Sequence, residues 1–344
     1  MGHRRMRRRD VVTGIAAIVG GVGGLSAARA PVSADFAAVL ARWDRDDHPD
    51  LKGVVVRVGG RLVAERYFNG DSPDALHDMR SAGKSITSLL VGAAIDRDLI
   101  HSVSDPVERY LPEAHGSAIG NVSLADVLTM RSGLAANDSD AESPGNEERL
   151  DEAKDPLAFL FSVPRTMPPG SVYQYNSLTA YTAGLVVERA ARMPEQDFAR
   201  SALFTPLGID RFSWATDIAG HTKGQGNLSI TARDMAKIGQ MMLDGGQIEG
   251  KRTVSEEWVA ASLTARVAIS AVDPYADGYG YFWYTKTLTV GRETVKIHFA
   301  SGNGGNKIYI VPSRHWVVAI TSSAYNSSYG QRRSQGILLA LLSA

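Results

Sequence analysis

Ser81-Ala82-Gly83-Lys84 is the only S-x-x-K in the chain. It opens an apolar helical pattern, and an i, i+3 pair lies on one face of a helix, so the hydroxyl and the amine can meet. A serine activated in this way by a neighbouring base is a nucleophile. At the start of a helix its backbone also offers free N–H groups to developing negative charge. Taken alone, the tetrad reads first as a serine N-cap followed by a solvated lysine. Gly83-Lys84-Ser85 imitates the end of a nucleotide-binding P-loop, but that motif needs a glycine where this chain has Asp78.

Two further stretches carry chemistry. Pro168-Pro169-Gly170 leads through Ser171 to Tyr175-Asn176-Ser177, just before a helical run over 180–190. A tyrosine beside a lysine can relay protons, each easing ionisation of the other. An isolated tyrosine would instead be a packing residue. In Ser301-Gly302-Asn303-Gly304-Gly305-Asn306, glycine lets a strand edge approach a ligand, and its N–H groups could serve an oxyanion. The plain alternative is a glycine turn between strands.

The elements that must position these residues are readable. Residues 34–47 have helical spacing, and 53–58 and 61–67 alternate around Gly59-Gly60 as a β-hairpin. Helix follows from Ser81 to about Asp96. Residues 123–243 are mostly helix and loop, with N-cap chemistry at Ser123-Leu124-Ala125-Asp126 and Thr231-Ala232-Arg233-Asp234. The period then switches to two, with strands near 279–285, 292–300, 306–311 and 316–321, before a closing helix over Gln335–Leu342. Strands at both ends and helices between them imply a sheet completed by the N- and C-terminal segments, with a helical insertion at about 100–245. Strand–helix alternation of the dinucleotide-binding kind is absent, as are internal repeats.

Composition narrows the function. The first 30 residues hold six arginines and one acid; without them, 31 basic face 36 acidic side chains. That mildly acidic remainder has no basic block, so nucleic acid is not an expected partner. There is no cysteine, which removes a Cys nucleophile, thiolate metal sites and disulfides. The eight histidines show no metal-binding spacing, and no G-x-S-x-G occurs. Neither metal nor cofactor is expected. Trp258, Trp283 and Trp316 read as core or pocket wall. Arg7-Arg8-Arg9-Asp10-Val11-Val12, an uncharged glycine-rich stretch and Ala28-Arg29-Ala30 make residues 1–30 an expected signal peptide of twin-arginine type. Residues 31–344 would then be the exported domain, periplasmic or extracellular, with no membrane span.

Together these segments resemble the serine β-lactamase and penicillin-binding-protein superfamily. The likeness runs in order through Met79–Ser88, Val103–Pro112, Leu124–Leu134, Tyr175-Asn176-Ser177 and Thr231–Ala236, over roughly residues 50–325. It implies an α/β fold of a mixed antiparallel sheet flanked by helices, with a mostly helical subdomain. It also implies Ser81, Lys84 and Tyr175 as catalytic residues, and Ser177, Ser301, Gly302, Asn303 and Gly304 at the substrate or oxyanion. Departures define the branch. No K-T-G or K-S-G is present, Ser139-Asp140 is followed by Ala141, and no deacylating glutamate fits. Tyr175 matches the class C type, and the Tyr–Asn–Ser order is most similar to 6-aminohexanoate-dimer hydrolases and class C-like carboxylesterases.

The resemblance implies a serine hydrolase that acts through an acyl-enzyme on small esters or amides, for which Lys84 must be partly neutral near pH 7. A β-lactamase or D-Ala-D-Ala carboxypeptidase is the alternative within the superfamily. A binding or sensor protein that kept the fold is the alternative outside catalysis. Pocket shape would depend on loops 135–165 and 265–285, and oligomeric state is left open.

Overall fold

The computed structural model describes residues 35–344; the expected leader over 1–30 lies outside the described residues. The main sheet has eight strands: β1 (Leu51–Val58), β2 (Arg61–Tyr67), β3 (Val267–Ala268), β4 (Gly278–Tyr279), β5 (Tyr284–Val290), β6 (Glu293–Gly302), β7 (Asn306–Val311) and β8 (Trp316–Ser322). Their spatial order is β2-β1-β8-β7-β6-β5-β4-β3, and every pairing is antiparallel. The N-terminal hairpin thus joins the C-terminal strands through β1 and β8, with Val56 opposite Val318.

Central strands covered on both faces read as continuous apolar runs. In β7 and β8 every residue is buried. At the edge, β2 is rich in charge and has no fully buried residue, and the charges discourage pairing with other chains. Side chains alternate between faces along a strand. Accordingly Trp316 meets Phe36 of α1 (Phe36–Ala41) edge to face at 5.0 Å, while the next residue, Val317, faces a helix on the opposite side.

Between the hairpin and the later strands runs α2 (Gly83–Ile95), buried from Gly83 to Ala94. A helix hidden on all sides needs no polar face. Then come α3 (Ser177–Ala191), α4 (Ala232–Leu243), α5 (Glu256–Leu263) and, after β8, α6 (Tyr329–Leu342). Gly239 of α4 lets that helix seat against Val317 and Ile308. Trp258 of α5 lies flat against Gly92 of α2 and donates its indole N–H to the Ser88 carbonyl at 3.1 Å. Trp258, Trp283 and Trp316 are all buried.

The two expected N-caps form with a twist in their chemistry. Ser123 Oγ and Thr231 Oγ1 accept from the Asp126 and Asp234 amides at 3.1 Å and donate back to those carboxylates at 2.7 Å. Aspartate is too short to reach the cap's own N–H, as glutamate would, so it takes the hydroxyl proton. The stretch expected as one strand over 279–285 is split. Gly280, Tyr281 and Phe282 form a tight turn between β4 and β5 with Phe282 at φ 59°. A side chain at Gly280 would lie 2.2 Å from the Ser262 carbonyl oxygen.

Candidate active site

Ser81 is the middle residue of a 3₁₀ turn, Arg80–Ala82, that precedes α2; the N-cap position of α2 is Ala82, without a side-chain cap. The serine hydroxyl is therefore not consumed by capping. Arg80 adopts φ 52°, a conformation that non-glycine residues enter at a cost of about 1–3 kcal/mol unless their surroundings hold them. Here the Arg80 amide donates to Asp78 Oδ1 at 2.8 Å, its guanidinium stacks 4.2 Å from the Tyr325 ring, and Tyr325 donates to the Asp78 carbonyl at 3.0 Å.

Lys84 follows one turn on, 1% exposed. Its Nζ donates to Ser81 Oγ at 3.1 Å, Ser177 Oγ at 3.0 Å and the Gln225 carbonyl at 2.7 Å. Three acceptors match the three protons of an ammonium. Burial pulls the lysine down, but Tyr175, Glu147 and Asp138 outweigh it, and its pKa stands above the ordinary value. This corrects the expectation of a partly neutral amine: the carboxylates and the tyrosine oxygen favour the cation more than burial disfavours it.

The Tyr175-Asn176-Ser177 order divides three tasks. Asn176 is the N-cap of α3, accepting from the Thr179 amide at 2.8 Å. Ser177, expected near the substrate, is fully buried; its hydroxyl holds Lys84 instead. Tyr175 remains at the cavity, with Lys84 Nζ 5.1 Å from its ring centre. Burial raises the Tyr175 phenol, against the pull of Lys84 and a hydrogen bond with Ser81.

The glycine strand closes the other side. A side chain at Gly302 would sit 2.0 Å from the Met79 carbonyl oxygen and 3.2 Å from the Ala82 nitrogen, so only glycine allows β6 this close to the serine turn. Ser301, Gly302 and Asn303 line the cavity. Gly304, with φ 83°, turns away against Ala324 and Tyr325. The Asn303 side chain also turns aside, exchanging hydrogen bonds with Asn326 at 2.7 and 2.8 Å.

The cavity holds about 560 Å³ and reaches Ser81 from between loops that contribute Asp138, Glu147 and Glu148 on one side and Asp273 on the other. Four residues here escaped the sequence reading. Gln225 reaches Lys84 through its backbone. Asp138 is pushed up to about 6 by burial, and neither carboxylate oxygen has a hydrogen-bond partner. Glu195 Oε1 lies within hydrogen-bond distance of Thr87 Oγ1, at 2.8 Å, behind α2. Lys307, on β7, donates to Ser301 Oγ at 2.7 Å. Only the lysine offered a signal, a charge inside an otherwise apolar strand.

A beta-lactamase family model matches residues 41–342. The chain belongs to the beta-lactamase family. Within that family it is 33% identical over 218 residues to the 6-aminohexanoate-dimer hydrolase of Paenarthrobacter ureafaciens, a match covering 60% of this chain and 55% of that one. The chain thus spans little more than half the length of this relative. Among solved structures, a family VIII carboxylesterase superposes with a TM-score of 0.69 at 14% identity, covering 89% of this chain and 96% of that one. A class C beta-lactamase from Rhodobacter sphaeroides superposes with a TM-score of 0.65 at 19% identity, covering 90% and 99%. These likenesses bear out the beta-lactamase/transpeptidase-like fold.

Proposed function

We propose that this protein is a serine hydrolase that cleaves small esters or amides through an acyl-enzyme on Ser81. The observation that carries the reading is the Ser81–Lys84–Ser177 chain of contacts at 3.1 and 3.0 Å, with Tyr175 beside it at the cavity. Lys84 and Tyr175 titrate as a coupled pair, so the reactive state is defined by their shared proton count. It is the state with one proton fewer than ammonium plus phenol, and the ammonium's three acceptors assign the loss to the phenol oxygen. Tyr175 then takes the Ser81 proton as Oγ attacks the carbonyl carbon. The oxyanion accepts from the Ser81 amide and from an amide of the 301–305 segment. Tyr175 returns the proton to the leaving group as the C–O or C–N bond breaks. Water attacks the ester on Ser81 by the same route, with Tyr175 receiving its proton and Ser81 leaving as the free alcohol.

β-Lactams are the competing substrate class, favoured by the name of the family model. Against them stands the absence of a K-T-G lysine on β6. Rates with nitrocefin and p-nitrophenyl butyrate, each with wild type and Ser81→Ala, separate the two. Butyrate turnover that vanishes in the variant supports the esterase reading, while preferential opening of nitrocefin replaces it. No reaction of Ser81 with a fluorophosphonate or a penicillin would return the protein to a binding or sensor role. We further propose that residues 1–30 direct export and that 31–344 form the exported domain, with a helical insertion at about 100–245. Among the described residues no helix is long and apolar enough to cross a membrane.

A further inference from the structure

Lys307 is 2% exposed, lies in the cavity wall and has no carboxylate within ion-pair distance among the described residues. Its one hydrogen bond is to Ser301 Oγ, leaving two ammonium protons without a protein acceptor. The rings of Phe299 and Tyr309, at 4.7 and 5.9 Å, give partial compensation. A buried cation without a counter-ion is unfavourable unless something supplies the charge.

The charges around the cavity are distributed unevenly. Asp138 and Glu147 act on Lys84. At Lys307, Asp273 is the one carboxylate that bears on it, and burial still draws it down to about 7. Ser301 precedes Gly302, the residue that meets the serine turn, so an anion at Lys307 would occupy the same cavity as an acyl group on Ser81.

We propose that Lys307 and Ser301 form the anchor for a carboxylate carried on the acyl portion of the substrate, making this protein selective for esters or amides of dicarboxylic or similarly acidic acyl groups. This rests on the hydrolase reading and names the substrate class for it. The cation comes from β7, beside the glycine strand, and not from a lysine preceding the glycine on β6. The carboxylate would accept from the two unused ammonium protons and from the Ser301 hydroxyl.

The test compares two substrates: the 4-nitrophenyl monoester of adipic acid with a free carboxylate, and the same ester with that carboxylate methylated. The ratio of their kcat/KM values is independent of how much variant folds correctly. Wild type is expected to favour the free acid. Lys307→Met is expected to reduce the ratio about ten- to hundredfold, the effect of losing hydrogen bonds to a charged group. Lys307→Arg should restore part of it. The melting temperature of Lys307→Met should match or exceed that of wild type, because a methionine removes an uncompensated buried charge. An unchanged ratio, or a wild type that prefers the methyl ester, overturns the anchor. If wild type cleaves neither ester, the hydrolase reading fails separately, and calorimetry decides the anchor alone. Adipate binding to wild type but not to Lys307→Met, with adipamide binding to neither, supports it; adipate and adipamide behaving alike refutes it.

Discussion

Lys84 Nζ stands 2.7 Å from the Gln225 carbonyl oxygen, closer than to either serine hydroxyl it contacts. A carbonyl oxygen can only accept, so this contact needs an N–H from the lysine, whereas the serines could donate or accept. The segment carrying that carbonyl is itself held: Trp214 Nε1 donates to the Lys223 and Gly226 carbonyls at 2.9 Å, and Thr87 Oγ1 donates to the Gly224 carbonyl at 2.7 Å. The lysine nitrogen is thereby held against Ser81.

Lys84→Met should lower kcat on p-nitrophenyl butyrate about 10²–10⁴-fold, the range for removing a positioned proton-transfer partner. Lys84→Arg should not recover it, because a planar guanidinium cannot meet the same three acceptors from this buried position. Recovery by arginine would mean that charge alone suffices.

Tyr175→Phe should lower kcat by a similar 10²–10⁴-fold, with KM changed far less. In the proposed mechanism the hydroxyl acts on the reacting proton, whereas the ring that shapes the cavity stays. A loss carried mainly by KM would make Tyr175 a binding residue instead.

Gly302→Ala forces a methyl group toward the Met79 carbonyl, to 2.0 Å if nothing moves. Overpacking of this kind typically costs about 1–3 kcal/mol. Here it must also push β6 away from the serine turn. The melting temperature and kcat should therefore fall together, while Gly304→Ala, which faces Tyr325 away from Ser81, should leave kcat closer to wild type.

Glu195 is fully buried, and burial raises its pKa from 4.5 to about 8. Thr87 has one hydroxyl proton but neighbours both the Glu195 carboxyl and the Gly224 carbonyl, which a neutral Glu195 resolves by donating to the threonine. For a folded-state pKa above the unfolded value, the stabilisation is complete below about pH 4.5 and is lost as pH rises through about 8. Glu195→Gln should flatten this decline, which amounts to several kcal/mol at order of magnitude. Urea unfolding of both proteins at pH 5 and pH 8 measures it; parallel losses would contradict a neutral Glu195.

The fold and the Ser81–Lys84 pairing were legible because their signals are local. S-x-x-K needs three residues of spacing, β6 alternates with a period of two, and β7 and β8 are largely apolar runs. Boundaries were less so: the last helix begins at Tyr329, several residues before the expected Gln335, because its first turn is polar and packs on the glycine turn at 303–305. Gln225 was invisible because its backbone, not its side chain, acts across 141 positions from Lys84. Glu195 meets Thr87 across 108 positions, and no periodicity encodes that. Ser177 was expected at the substrate but is buried against Lys84, since spacing from Tyr175 does not say which way a helix's first residue faces.

The most direct test of Ser81 is reaction of the protein with a fluorophosphonate, followed by proteolysis and mass spectrometry of the peptide containing it. One phosphonyl group on Ser81, absent in Ser81→Ala and slowed in Lys84→Met, is the expected result. Label on another residue, or unlabelled Ser81 in a protein that still turns over p-nitrophenyl butyrate, would contradict its role as nucleophile.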